Sequence, residues 1–322
     1  MRVLITGAGG YTGSQLVLSL CKEEAIEVMA TDVRFSREQG RESRHICDIR
    51  DADAVMRLWQ EFQPHAVVHL ASIVNPGKES TRQFEYDVDV GGTTNVLKAC
   101  TRTQVERLIV TSSGAAYGYH KDNPRPLRET DPVRGNDEFS YSCHKRLIEE
   151  LMALHRKTGH RPDTVIFRIG TILGRTTQNQ ITALFLQPRI PAVRGSDSPF
   201  VFIWDQDVMA AFLHALKHDG QGFVAPAGVY NLAADGFLTI DEIATRLGKK
   251  VRYFPAWFLR FAFALLRPLG LTRYGPEQVR FLQYRPVLDN AELKKTFGFI
   301  PHKSSAQVFE YYCTHNIYQK KA

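Results

Sequence analysis

The chain has 322 residues, of which 43% are hydrophobic and 23% charged, with a formal net charge of +7. That length and apolar share suit one large domain or two coupled ones around a sizeable core, which excludes a disordered chain. The positive excess is spread along the sequence without a helix-turn-helix, zinc-finger or RNP signature, so nucleic acid is not an expected partner, and an anionic cofactor or substrate accounts for the excess equally well.

In chain order, RVLIT at 2–6 is the first predicted strand, followed by TGAGGYTG and a helix over Ser14–Glu24. IEVMAT at 26–31 is the second strand, and CDIRD puts Asp48 and Ile49 at the end of a short third one. A helix over Ala52–Phe62, a strand at 66–71, a helix over Phe84–Thr101, a strand at 107–113, a helix over Ser140–Thr158 and a strand at 164–170 follow. This alternation predicts an α/β fold, a doubly wound parallel sheet with helices on both faces.

After Gly170 the chain becomes irregular and proline-containing, then returns to sheet-and-helix style with VFIW at 201–204, a helix over Asp207–Lys217 and a strand at 228–233. The expected organisation is a Rossmann domain over 1–170, completed by about 200–235. Segments 171–199 and 236–322 would form a smaller, discontinuous substrate-binding region. Within it, FPAWFLRFAFALLRPLGL at 254–271 is too interrupted by Arg260, Arg267, Pro255 and Pro268 to span a bilayer, which needs about 20 apolar residues. It is expected as a buried helix of a substrate lid, with a helix lying on a membrane surface as the alternative.

Cys21, Cys47, Cys100, Cys143 and Cys313 are odd in number and never at CxxC or metal-ligand spacing, and no secretory signal pattern opens the chain. These features point to reduced thiols and a cytoplasmic location. The eleven histidines form no HxH or HExxH pattern, so no metal site is expected, and His69 is read as a hydrogen-bonded strand residue.

Gly7, Gly10 and Gly13 stand at G-x-x-G-x-x-G spacing between the first strand and first helix. Backbone there can approach a pyrophosphate, and the helix N-terminus supplies N–H donors to it. Asp32, at the end of the second strand, can accept from both adenosine ribose hydroxyls and would repel a 2′-phosphate, which favours NAD over NADP despite Arg34 nearby. Asp48 and Ile49 suit a wall for adenine.

With HLAS at 69–72, SSGAAYG at 112–118 and YSCHK at 141–145, these motifs together resemble the extended short-chain dehydrogenase/reductases, the class that includes nucleotide-sugar epimerases. The resemblance implies cofactor contacts by Tyr11, Thr12, Leu70, Ala71 and Lys145. It also implies a tyrosine acting as general acid/base, a lysine one helical turn on that lowers the phenol pKa, and a serine that donates to the substrate oxygen. Two Tyr-x-x-x-Lys pairs compete, Tyr117/Lys121 and Tyr141/Lys145, and the two residues share a side only on a helix. Gly118 and the breakers after Lys121 disqualify the first, so Tyr141 and Lys145 are the expected pair and Tyr117 a packing residue. Ser113 is the expected serine, Ser112 pointing to the other side of the strand. Gly114, Ala115 and Ala116 stand where dehydratases and decarboxylases of the class carry acidic residues, so elimination is not expected.

Two departures from the class stand out. Asp89 replaces the usual Asn. Phe200 and Trp204 stand near where sugar-nucleotide epimerases have Arg and His, making Phe200, Trp204 and a compensating Arg194 the expected substrate contacts; Arg168 is read as a buried ion-pair residue instead. The expected function is NAD-dependent hydride transfer by a sugar or nucleotide-sugar epimerase/oxidoreductase. The alternatives are a dehydrogenase of an apolar alcohol, of the 3β-hydroxysteroid type, and a non-catalytic NAD-binding regulator. The resemblance further implies a homodimer through helices 84–101 and 140–158.

Overall fold

The computed structural model describes residues 1–35, 42–77, 79–269 and 275–318; Gly270 and Leu271, the end of the long apolar segment, lie outside them. Val3, Leu4 and Ile5 of β1 (Arg2–Thr6) are wholly buried because both faces of this strand are covered. Val3 and Ile5 join one core layer and Leu4 the other, as a two-residue side-chain period requires.

β2 (Glu27–Asp32), β3 (Ser43–Ile46), β4 (Ala66–His69), β5 (Arg107–Ser113) and β6 (Asp163–Ile169) pair in parallel around β1. β7 (Thr171–Leu173) pairs with β9 (Phe202–Trp204), and β8 (Arg189–Val193) with β11 (Lys250–Phe254). β10 (Gly228–Leu232) returns to the main sheet beside β6. The sheet order is β3-β2-β1-β4-β5-β6-β10, and the order reverses between β1 and β4, which opens a crevice at the carboxyl ends of those strands.

α1 (Tyr11–Leu20) and α2 (Ala52–Phe62) follow strands β1 and β3. α2 is capped by the Asp51 carboxylate, which accepts from the Asp53 and Ala54 amides, and it buries Val55, Leu58, Trp59 and Phe62 at helical spacing. The expected single helix over 84–101 is instead α3 (Arg82–Tyr86), a π-helical turn over Asp87–Gly92, and α4 (Thr93–Arg102). At Gly92 a Cβ would collide with the Ile49 side chain, so the wide turn and the glycine fit together.

α5 (Ser140–Lys157) matches its predicted span to within a residue. α6 (Gln180–Leu186), α7 (Asp205–Leu216), α8 (Ile240–Arg246), α9 (Ala256–Leu266), α10 (Gln278–Gln283), α11 (Ala291–Lys295) and α12 (Ser305–Cys313) complete the helices of the described residues. α9 corrects an expectation: none of its residues is buried, so it is not the buried helix of a lid. Apart from Arg260 its sequence is apolar, and the neighbouring α10 can cover only one side of it.

A buried ion pair fixes α5 to the sheet. Arg168 on β6 holds the Glu149 carboxylate bidentately, with Nη2 2.6 Å from Oε2 and Nε 3.0 Å from Oε1. The Ser112 hydroxyl donates to the same carboxylate, and Arg168 Nη1 donates to the Tyr117 hydroxyl at 2.7 Å. Removing one partner strands a buried charge, at about 3–5 kcal/mol. Glu149→Ala should therefore lower the Tm by roughly 10 °C. Glu149→Gln, which keeps an acceptor for Arg168, should lower it by less. An unchanged Tm in a thermal melt of Glu149→Ala would contradict this reading.

Candidate active site

The glycine turn is shaped by close approach. Gly7 has φ +71°, and a Cβ on it would lie 2.5 Å from the Ala71 amide nitrogen. Gly10 differs: its missing Cβ would meet only the Gly7 carbonyl oxygen, at 3.3 Å, and otherwise face the crevice. α1 begins just after it with no side-chain N-cap and no acidic residue in the first turn, leaving its N-terminal amides directed at the opening. Gly13 packs the first turn of α1 against the Gly7 backbone.

Asp32 closes the adenosine side. Its Oδ2 accepts from the Gly9 amide at 2.9 Å and its Oδ1 from the Arg34 amide at 3.3 Å, which sets the carboxylate at the rim. Gly7, Gly10, Asp32, Asp48, Ile49, Leu70 and Ala71 line one cavity of about 1070 Å³. Asp48 and Ile49 lie past the end of β3 rather than on it, because β3 ends at Ile46. The Asp48 carboxylate is gripped by Arg50, whose hydrogen bonds hold it below the usual carboxylate range, and the Arg50 guanidinium stacks over Phe84 at 4.7 Å. The bare Gly10, the uncapped helix end and the oriented Asp32 fit a dinucleotide.

A second cavity, of about 490 Å³, continues from Gly7, Gly10, Tyr11, Thr12 and Gly13 to Ser113, Tyr141 and Lys145. Tyr11 has its hydroxyl committed elsewhere: it donates to Asp205 at 2.8 Å and accepts from Thr177 at 2.9 Å, tying the start of α1 to the start of α7. Tyr141 and Lys145 lie one turn apart on α5, with Lys145 Nζ 5.5 Å from the Tyr141 ring centroid and donating to the Thr111 carbonyl at 2.9 Å. Burial pushes the Tyr141 phenol up to about 12, the Asp89 charge adds to this, and a hydrogen bond from Ser113 opposes it. The Ser112 hydroxyl instead faces Glu149. Tyr117 is buried at the end of a 3₁₀ turn over Gly114–Tyr117, with its hydroxyl 2.8 Å from the Arg128 carbonyl oxygen and 2.9 Å from Asn231 Oδ1, and no helix joins it to Lys121.

Asp89 acquires a partner that the sequence did not announce. From the π-turn its Oδ1 accepts from the Ser72 hydroxyl at 2.9 Å and the Ile73 amide at 2.8 Å, and its Oδ2 lies 2.9 Å from Nδ1 of buried His144. Asp89, in the family's Asn position, and His144, directly before Lys145, form a buried pair. Lys145 is wholly buried, which lowers its pKa, and the Asp89 and Glu149 charges oppose that fall. His69 bridges Thr6 at 2.7 Å and Thr93 at 2.9 Å, and burial pushes it down to about 3, so it is neutral.

The expected substrate contacts are corrected. Phe200 is 1% exposed, stacked on Phe202 in the aromatic core; Trp204 packs edge-on against Tyr311; and Arg194 is an exposed residue at the end of β8. None of the three lines the cavity, because β9 directs its side chains into the layer under α12. Arg168 is equally unavailable, held by Glu149. The wall opposite Tyr141 comes from Tyr119, Phe139, Val201, Phe281, Leu288 and Arg285. Arg285 is 8% exposed, lies 3.9 Å over the Phe200 ring and donates to Ser198 at 2.7 Å, while its Nε and Nη2 have no partner among the described residues. Burial pushes it down to about 9. Phe200 thus backs the cation rather than touching a ligand. No sequence motif points to Arg285; long-range contacts with Ser198, across 87 positions, and with Phe200 bring it in.

Residues 3–233 match the model of the NAD dependent epimerase/dehydratase family. The chain is 32% identical over 280 residues to the decarboxylating sterol-4-alpha-carboxylate 3-dehydrogenase of Schizosaccharomyces pombe, covering 84% of this chain and 79% of that enzyme. It is 26% identical over 272 residues to the CDP-paratose 2-epimerase of Salmonella typhi, covering 74% and 78%. In fold it is similar to the Bordetella bronchiseptica enzyme WbmG in complex with NAD and UDP, with a TM-score of 0.74, 19% identity, and coverage of 100% of this chain and 96% of that one.

The Asp89 charge raises the pKa of both Lys145 and Tyr141. Asp89→Asn keeps the shape and removes the charge, so both groups should titrate at lower pH. The acidic and alkaline limbs of the kcat/KM profile should then move together to lower pH. A profile identical to that of the wild type would show that Asp89 exerts no charge effect on the pair.

Proposed function

The chain belongs to the NAD dependent epimerase/dehydratase family, NAD-using enzymes of the extended short-chain dehydrogenase/reductase type, and from that premise we propose that Tyr141, Lys145 and Ser113 support hydride transfer at a secondary alcohol or ketone carbon of a sugar nucleotide. Bound NAD supplies the acceptor for the carbinol hydride, a positive ring charge beside the phenol, and the donor for the return step. Tyr141 takes the hydroxyl proton as the C–H bond breaks, leaving a ketone, and gives the proton back in the reverse direction. Ser113 donates to the same oxygen as charge develops on it. Lys145, anchored on the Thr111 carbonyl, keeps its ammonium beside the phenol and stabilises the phenolate. If the ketone turns over in the cleft before the return step, the carbon is inverted with no net redox change.

Arg285 is the observation that carries the substrate class. The buried Arg285 guanidinium lines the cavity that holds Tyr141 and has two nitrogens without a partner among the described residues; it would suit an anion such as the diphosphate of a sugar nucleotide. A second reading, an apolar alcohol, is favoured by Phe139, Val201, Phe281 and Leu288 along the same wall and by the 32% identity to a sterol dehydrogenase. An alcohol bearing a carboxylate would satisfy both the wall and the cation.

The finer proposals follow the same premise. The glycine turn, Asp32 and Ala71 would bind the dinucleotide, and the stretches near 171–199 and 236–322 would form the substrate side. The protein would work as a homodimer through helices α3 to α5, where Phe84, Tyr86 and Leu154 are exposed, and in a reducing, cytoplasmic setting suited to five scattered cysteines that are never at CxxC spacing. Sedimentation should give twice the chain mass, and Leu154→Arg should halve it; a wild-type monomer rules the dimer out.

Two variants test the chemistry. Tyr141→Phe should lower kcat by about 10²–10⁴-fold while NAD affinity stays within a few fold. Arg285→Met should lower kcat/KM by about 10–100-fold for a sugar nucleotide but leave an uncharged apolar alcohol untouched. Sugar inversion without net NADH identifies an epimerase, and net NADH a dehydrogenase. Full activity of Tyr141→Phe would sink the acid/base role and favour a non-catalytic NAD binder.

A further inference from the structure

α9 is an apolar helix that the fold leaves uncovered. Trp257 is 69% exposed, Phe261 64%, Leu265 54% and Phe258 42%. At 100° per residue these four share one arc, while Leu259, Phe263 and Leu266 on the opposite arc are half-buried against the protein. The outward arc is therefore surplus to packing. Leu269, 63% exposed, prolongs it past the end of the helix.

The chain around the arc is rich in cations, of which Arg246 and Arg267 pair with Glu310 and Glu277. Between Glu242 and Glu277 the sequence has no acidic residue, and its described part carries Arg246, Lys249, Lys250, Arg252, Arg260 and Arg267. Lys250 and Arg252, exposed on β11 just before α9, and Arg260 on the flank of the arc form no salt bridge among the described residues. A Trp/Phe/Leu face beside cations is the chemistry of a helix that lies in the headgroup region of a bilayer. A second copy of the chain meeting this face through a two-fold axis would set the same cations against each other.

We propose that α9, with Lys250, Arg252 and Arg260, docks the enzyme onto an anionic phospholipid surface. The helix lies parallel to that surface; no helix among the described residues is long and apolar enough to cross a membrane. α9 packs against α10, whose Phe281 lines the cavity beside Tyr141. Docking therefore sets the substrate side of the cleft next to the lipid.

Flotation of the full chain with vesicles of phosphatidylcholine, with or without phosphatidylglycerol, tests this. The wild type should float with the anionic vesicles, at least about tenfold less with the neutral ones, and less as salt rises. Trp257→Ser with Phe261→Ser should reduce flotation at least about tenfold while leaving the melting curve and NAD binding unchanged, since both side chains are exposed. Arg252→Gln with Arg260→Gln should reduce it by a similar factor. Failure of the wild type to float overturns the proposal. So does concentration-dependent self-association that Trp257→Ser abolishes in the absence of lipid. The readout is partitioning, so either failure leaves the proposed hydride chemistry standing.

Discussion

An ammonium group inside a protein is stable only where fixed charges and dipoles replace its water, and much of this site follows from keeping Lys145 charged. The Thr111 carbonyl accepts from it directly, and the carboxylates of Asp89 and Glu149 oppose the fall in its pKa that burial causes. Each carboxylate is buried in turn and needs its own donors. Asp89 finds them in Ser72, Ile73 and His144, and Glu149 in Ser112 and Arg168. α5 is thus gripped on one side by the π-turn and on the other by β5 and β6, and Tyr141 is carried to the cleft as a consequence.

Arg285 is the counter-example within the same cleft. It is nearly as buried as Lys145, yet it lies against the Phe200 and Phe281 rings and, among the described residues, forms a hydrogen bond to the Ser198 hydroxyl alone. Its pKa, pushed from 12.5 down to about 9, means that the unfolded chain holds a proton more tightly than the folded one. The site therefore lowers stability at neutral pH, and that penalty is relieved as pH rises from about 9 toward 12.5. A compensated cation positions a catalytic group; an uncompensated one is a vacancy for an anion.

The first half of the chain was legible because its constraints are local. Strand and helix alternate, the glycine turn sits beside its own helix, and breakers after Lys121 versus helical leucines after Lys145 decide between two motifs of the same form. Asp89 stands out in the sequence only as a departure from the usual Asn, and nothing there points to His144, because the pair forms between two helices 55 positions apart. The substrate side was misread for a related reason. Position in a motif points to Phe200 and Trp204, but their side chains go to the aromatic layer formed with Phe185, Phe309 and Tyr311. The wall of the cleft is built by Phe281 and Arg285, which lie in a stretch of short helices without periodic signal. α9 was misread because burial was inferred from apolarity alone, and apolarity does not say whether enough protein is present to cover a helix.

The central claim is that this buried array tunes Tyr141 for proton transfer when the dinucleotide arrives. The most direct measurement is NMR titration of isotope-labelled tyrosine, assigned with Tyr141→Phe, in the free protein and with NAD bound. The account predicts a phenol that titrates near 12 in the free protein and falls by several units toward neutrality in the complex. A Tyr141 resonance whose titration is unmoved by NAD would contradict it.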